Sequence, residues 1–148
     1  ATRAEDGYRA LLEATAFGTR KIVETFREAG VDVEEYIVAG GLIKNHFLMQ
    51  LYSDVTRLPL SVLESEQGPA LGSAIHAAVA AGAYANVRDA AEAMGRVSKS
   101  LYVPNEAQAA KYDRLYGEYE ILHDYFGRGA NDAMKRLKAM RREALDAS

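Results

Sequence analysis

The stretch Tyr36-Ile37-Val38-Ala39-Gly40-Gly41, with Asn45 just beyond it, limits the possible folds more than any other part of the chain. A short apolar run rich in strand formers and closed by paired glycines suits a buried strand better than a helix. Asn45 then caps a helix running to about Thr56, with Phe47, Leu48, Leu51, Tyr52 and Val55 on its inner face, and Pro59 blocks its continuation. Leu60-Ser61-Val62-Leu63 reads as a second strand, and a further helix starts at Gly68. That helix is expected to bury Ala70, Leu71, Ala74, Ile75, Ala78 and Val79 in a regular stripe. Upstream, Tyr8, Leu11, Leu12, Ile22, Val23 and Phe26 follow the 3.6-residue period of an amphipathic helix, which Gly30 can stop.

Alternation of helix and strand up to Gly82 is the pattern of a helix-rich α/β fold with a parallel sheet. Parallel strands are normally central, so partners for these strands are expected upstream of Ala1. The start Ala1-Thr2-Arg3-Ala4-Glu5-Asp6 lacks a methionine and a signal pattern, and reads as a cut inside a longer chain. After Gly82 the character changes. Val87 to Met94 suggests a short helix, Tyr102-Val103-Pro104 an extended connection, and the rest reads as helical, with Tyr112, Leu115, Tyr119, Leu122 and Phe126 spaced by threes and fours. Residues 1–83 therefore read as the α/β part, and 84–148 as a helical C-terminal extension of the same domain.

Composition narrows the classes of function. At 148 residues with 49% apolar and 26% charged side chains, the chain has the makings of one ordinary globular domain. A net charge of −3 gives no broad attraction to a phosphate backbone, and nucleic acid is not an expected partner. Without cysteine there is no disulfide, thiolate nucleophile or cysteine-ligated metal, and a reducing compartment is allowed. No apolar run approaches the length of a membrane span.

Chemistry is expected beyond the first strand. In open α/β sheets ligands gather past the carboxyl ends of strands, and glycines there let the backbone approach a flat ligand. The Asn45 amide can both donate and accept, which suits a base or a ribose. A tight turn and a helix cap account for the same residues, and both readings stand at this point. No glycine-rich phosphate loop ends in lysine and serine or threonine. His46, His76 and His123 lack the spacing of metal ligands, so no metal site is expected. His123-Asp124 makes a poor base and orienting carboxylate, since adjacent helical residues do not face each other. Glu64 and Glu66 follow a strand end and are expected to be solvated, as are Lys135, Arg136, Lys138, Arg141 and Arg142.

The run from Ile37 through Gly40-Gly41 and Asn45 to Gln50, continuing to Ser53-Asp54, resembles the adenosine-motif region of the FGGY carbohydrate kinases, within the actin-like ATPase superfamily with its ribonuclease H-like fold. Glu13 to Arg20 resembles the helix before that strand, and Gly68 to Ala74 the small-residue helix after it. The run Leu122 to Leu137 is similar to the tail of the branch of that family that phosphorylates ribulose. The resemblance implies a cytoplasmic enzyme in which ATP with Mg2+ phosphorylates a ketopentose in arabinose catabolism. Gly41 and Asn45, with Gly40 in support, are then nucleotide-binding. No catalytic residue falls in this chain: the aspartate base belongs to an N-terminal domain, which also holds most of the sugar, and the chain alone is expected to be inactive. A different reading makes the chain a non-catalytic helical module for oligomerisation. Unpaired strands are expected to expose apolar surface and drive self-association.

Overall fold

The computed structural model describes residues 2–65 and 67–146. Glu66 therefore lies outside the described residues. Two compact units meet at residues 109 and 110.

The first unit begins with α1 (Ala4–Glu28), whose start is fixed where Asp6 Oδ2 accepts the Arg3 N–H at 2.9 Å. Its end is a Schellman turn: Gly30, at φ 82°, sends its N–H to the Arg27 carbonyl, and the Val31 N–H reaches that of Phe26, both at 2.9 Å. β1 (Tyr36–Val38) follows, then a 3₁₀ turn over Gly41–Lys44, then α2 (His46–Thr56). α1 packs on α2 through Ala16, Phe17 and Val23, which are buried, as are Leu48, Met49, Leu51 and Val55 of α2. Arg20 reaches from α1 to the last turn of α2, its Nη1 donating to the Val55 carbonyl at 3.1 Å. A cation at a helix C-terminus satisfies carbonyls that have no partner within the helix.

β2 (Leu60–Leu63) is the middle strand of a three-stranded sheet ordered β1-β2-β3. It runs parallel to β1, with Tyr36 opposite Leu60 and Val38 opposite Val62, as the helix–strand alternation implies. Its second neighbour corrects the sequence reading. β3 (Val97–Tyr102) comes from within residues 84–148, read above as helical, and pairs antiparallel to β2. So β2 takes its second partner from downstream, while the outer edge of β1 is unpaired among the described residues. β3 is irregular: Leu60 faces Tyr102, but Val62 faces Ser98, so β3 carries extra residues opposite Ser61. Ser61 fills that bulge. Its buried hydroxyl accepts the Ser100 N–H at 2.8 Å and donates to Glu35, so one side chain ties all three strand regions together.

α3 (Gly68–Ala80) and α4 (Val87–Met94) pack on one another across a turn at Gly82. The predicted stripe of α3 is buried only at Ile75; Leu71, Ala78 and Val79 are half-buried, and Ala70 and Ala74 are exposed. The helix is apolar on several faces, and one neighbouring helix covers only one of them.

The second unit holds most of α5 (Glu106–Gly127) and all of α6 (Ala133–Asp146). On α5 the predicted stripe stays largely open, with Leu115, Leu122 and Phe126 exposed. α6 has no buried residue, and its basic side chains are solvated as expected, Lys135 pairing with Asp132 at 2.8 Å.

Candidate nucleotide site

The two glycines after β1 are there for different reasons. Gly40 holds φ 97° and ψ −175°, a region closed to residues with a Cβ. Gly41, first residue of the 3₁₀ turn, has no such dihedral, and a Cβ built on it meets nothing within 4 Å among the described residues. Backbone conformation thus demands glycine at 40, while neither conformation nor packing among the described residues demands it at 41. Gly40→Ala should accordingly cost about 1–3 kcal/mol, and Gly41→Ala less than about 0.5 kcal/mol. Urea denaturation of the two variants separates these outcomes.

Asn45 closes the 3₁₀ turn and caps α2, its Oδ1 accepting the Leu48 N–H at 3.0 Å. The cap reading is therefore correct, and it uses the acceptor of the amide. The Nδ2 donors make no hydrogen bond among the described residues, so the donor half of the side chain is available to a ligand.

A cleft of about 200 Å³ opens beside the turn, lined by Gly40, Gly41, Ile43, Lys44 and Gln67. Gly68, the first residue of α3, makes this possible. A Cβ there would stand 3.2 Å from Leu63 Cδ2 and 3.5 Å from Ala39 Cβ, so glycine lets the helix start come close to both strand ends. The cleft is smaller than the roughly 300–1,000 Å³ usual for a complete small-molecule pocket. Lys44 and Gln67 were not singled out in the sequence. Lys44 stands inside the run from Ile37 to Gln50, next to Asn45, whereas nothing local marks Gln67. Ile43 also borders a second hollow of about 290 Å³, which Ile37, Leu42 and Met49 help to line. Burial raises the pKa of the Tyr36 phenol at its margin, Tyr52 adds to the rise, and a hydrogen bond with Thr19 opposes it.

The second half of the run, Gln50 to Asp54, faces elsewhere. Asp54, 5% exposed, accepts from Gln50 Nε2 and from the Asn105 N–H, both at 2.8 Å. Gln50 also donates to the Val103 carbonyl, and the buried Ser53 hydroxyl to that of Leu58. These residues build the corner where the chain enters α5.

The remaining candidates make no reactive centre. His46 Nδ1 meets the Tyr102 hydroxyl, joining α2 to β3. Glu64 accepts from Ser98 at 3.1 Å. The side chains of His123 and Asp124 do approach, at 3.0 Å, contrary to the expectation for adjacent helical residues. His123 is half-buried and Asp124 exposed, and Asp124 is shared with Arg128 at 3.2 Å. Among the described residues no group of three or more His, Asp or Glu could hold a metal ion, and no helix is long and apolar enough to cross a membrane.

Comparison with known proteins decides the family. Residues 1–81 match the model of the FGGY family of carbohydrate kinases, C-terminal domain. The chain belongs to this family. Similar FGGY relatives include a ribulokinase of Mycolicibacterium smegmatis, 57% identical over 97% of the chain, and one of Halalkalibacterium halodurans, 54% identical over 95%. The chain spans about a quarter of the length of each, 25% and 26%. Among solved FGGY-type structures, a xylulose kinase from Rhodospirillum rubrum superposes with a TM-score of 0.70 at 29% identity, over 83% of the chain and 25% of that kinase. A gluconate kinase from Lactobacillus acidophilus, at 20% identity and a TM-score of 0.68 over 80% of the chain and 24% of its own, shares the fold.

Proposed function

We propose that residues 40–45 form the adenosine-side wall of the active site of an ATP-dependent, cytoplasmic carbohydrate kinase with the actin-like ATPase fold, acting on a ketopentose such as ribulose in arabinose catabolism. The observation that carries this reading is the Gly40-Gly41 turn at the end of a parallel strand, with no packing demand on Gly41 among the described residues. Similarity to ribulokinases supports the choice of sugar. In this role Gly41 offers bare backbone to the nucleotide, the Asn45 Nδ2 donates to it, and the cap on Leu48 fixes the side chain that does so. ATP supplies the phosphoryl group. Mg2+ would be held mostly by the phosphates of the nucleotide and by residues outside this stretch. Phosphoryl transfer requires nucleophile, metal and γ-phosphate to be positioned together, so the chain alone binds nucleotide and does not turn it over.

Calorimetric titration of ADP into the folded chain tests the reading. Gly41→Val places a branched side chain where the nucleotide must approach, and Asn45→Asp keeps the cap acceptor while removing the donors. Both should weaken ADP binding at least tenfold, which corresponds to about 1.4 kcal/mol, with little change in thermal stability. Unchanged affinity in both would sink the proposal. The exposed Met134, Leu137 and Met140 of α6 favour a second reading, a helical module for self-association. It is distinguished by oligomers that form without any nucleotide affinity.

A further inference from the structure

The cleft beside the Gly40-Gly41 turn contains one polar side chain for which neither the fold nor the family motif accounts. Gln67 lies more than twenty residues downstream of the turn, yet it lines the same cleft. It occupies the N-cap position of α3, but its side chain makes no cap hydrogen bond. Only its backbone N–H is engaged, with Ser65 Oγ at 3.2 Å, and the carboxamide has no hydrogen-bond partner among the described residues. Gly68, which packs close to Ala39 and Leu63, brings this position up to the turn.

We infer that Gln67 reads the edge of the purine base and so sets the preference of the site for adenine, an inference that rests on the nucleotide reading above. The chemistry favours the base over the phosphates. A carboxamide is neutral, and it pairs one acceptor with donors in a plane, which matches the N6 amino group and N7 of adenine. On that same edge hypoxanthine, with a carbonyl in place of the amino group, offers only the acceptors O6 and N7. The other walls suit a flat base, since bare glycine backbone and the Ile43 side chain present no competing charge. The cleft's cation, Lys44, is better matched to the charged end of a nucleotide.

The test compares ADP with IDP, which differ at that one substituent, in the parent chain and in Gln67→Met. Methionine keeps the length of glutamine and removes its hydrogen bonds, and because the glutamine side chain caps nothing, α3 should be undisturbed. The parent should bind ADP at least tenfold more tightly than IDP. In Gln67→Met, ADP binding should fall about tenfold, IDP binding should change little, and the ratio should approach one. A preserved ratio in Gln67→Met, with Gly41→Val and Asn45→Asp still weakening ADP, overturns the role of Gln67 and leaves the nucleotide site standing. If none of the three variants weakens ADP, or if the folded parent binds neither nucleotide, the site and the role of Gln67 fall together.

Discussion

Leu60→Ala should lower the stability of the chain by about 2–5 kcal/mol, a large part of the roughly 5–15 kcal/mol that holds a typical domain together. Leu60 is completely buried in the middle strand, with Tyr36 opposite on β1 and Tyr102 opposite on β3. Truncation removes transfer energy and leaves a cavity that a strand paired on both edges is poorly able to collapse. Ile37 on β1 provides the contrast. It is 55% exposed, and Ile37→Ala should change stability by no more than about 0.5 kcal/mol. Urea unfolding followed by circular dichroism measures both. Equal losses at the two positions would show that β2 is not the centre of the core.

Asp54→Ala should cost about 3 kcal/mol, since it leaves the Asn105 N–H and the Gln50 amide without the charged acceptor they share. Asp54→Asn keeps one oxygen in place and should lose only about 1 kcal/mol. Hydrogen exchange offers a second readout that tests the position rather than the energy. The Asn105 amide should exchange much faster in Asp54→Ala, while amides in β1 and β2 slow or quicken only with global stability. A loss below about 0.5 kcal/mol with an unaltered Asn105 amide would remove Asp54 from the corner.

The elements that could be read from sequence are those whose signals are local. α1 and α2 carry a 3.6-residue period and end at Gly30 and just before Pro59, while β1 and β2 are short apolar runs bounded by glycine or proline. β3 carries no such signal. In Val97-Ser98-Lys99-Ser100-Leu101-Tyr102 the bulge breaks the alternation, Ser100 takes a positive φ of 48°, and the serine that stabilises the bulge belongs to another strand. The α3 stripe failed for a different reason: on a helix apolar on several faces, period alone does not say which face a neighbour will cover. At the candidate site, Gly40, Gly41 and Asn45 were legible because they lie within six residues of one another. Gln67 reaches them only through the packing of α3 against two strand ends, which no window of sequence contains. The assignment of the Asn45 cap was equally hidden, because the amide's composition allows a cap and a ligand contact while only the geometry gives the cap to the oxygen and leaves the nitrogen over.

The division of labour along residues 40–54 bears on how such a run is interpreted in other chains. Its first half faces a cleft, and its second half, Gln50, Ser53 and Asp54, locks a corner of the scaffold. A relative that kept the corner but replaced Gly41 and Asn45 would still score as similar across most of the run, and would still fold. On the reading proposed above, it would be a kinase in outline that had lost its nucleotide. Likeness over this segment therefore testifies to architecture first, and the proposed binding role rests on two of its positions, weighed separately.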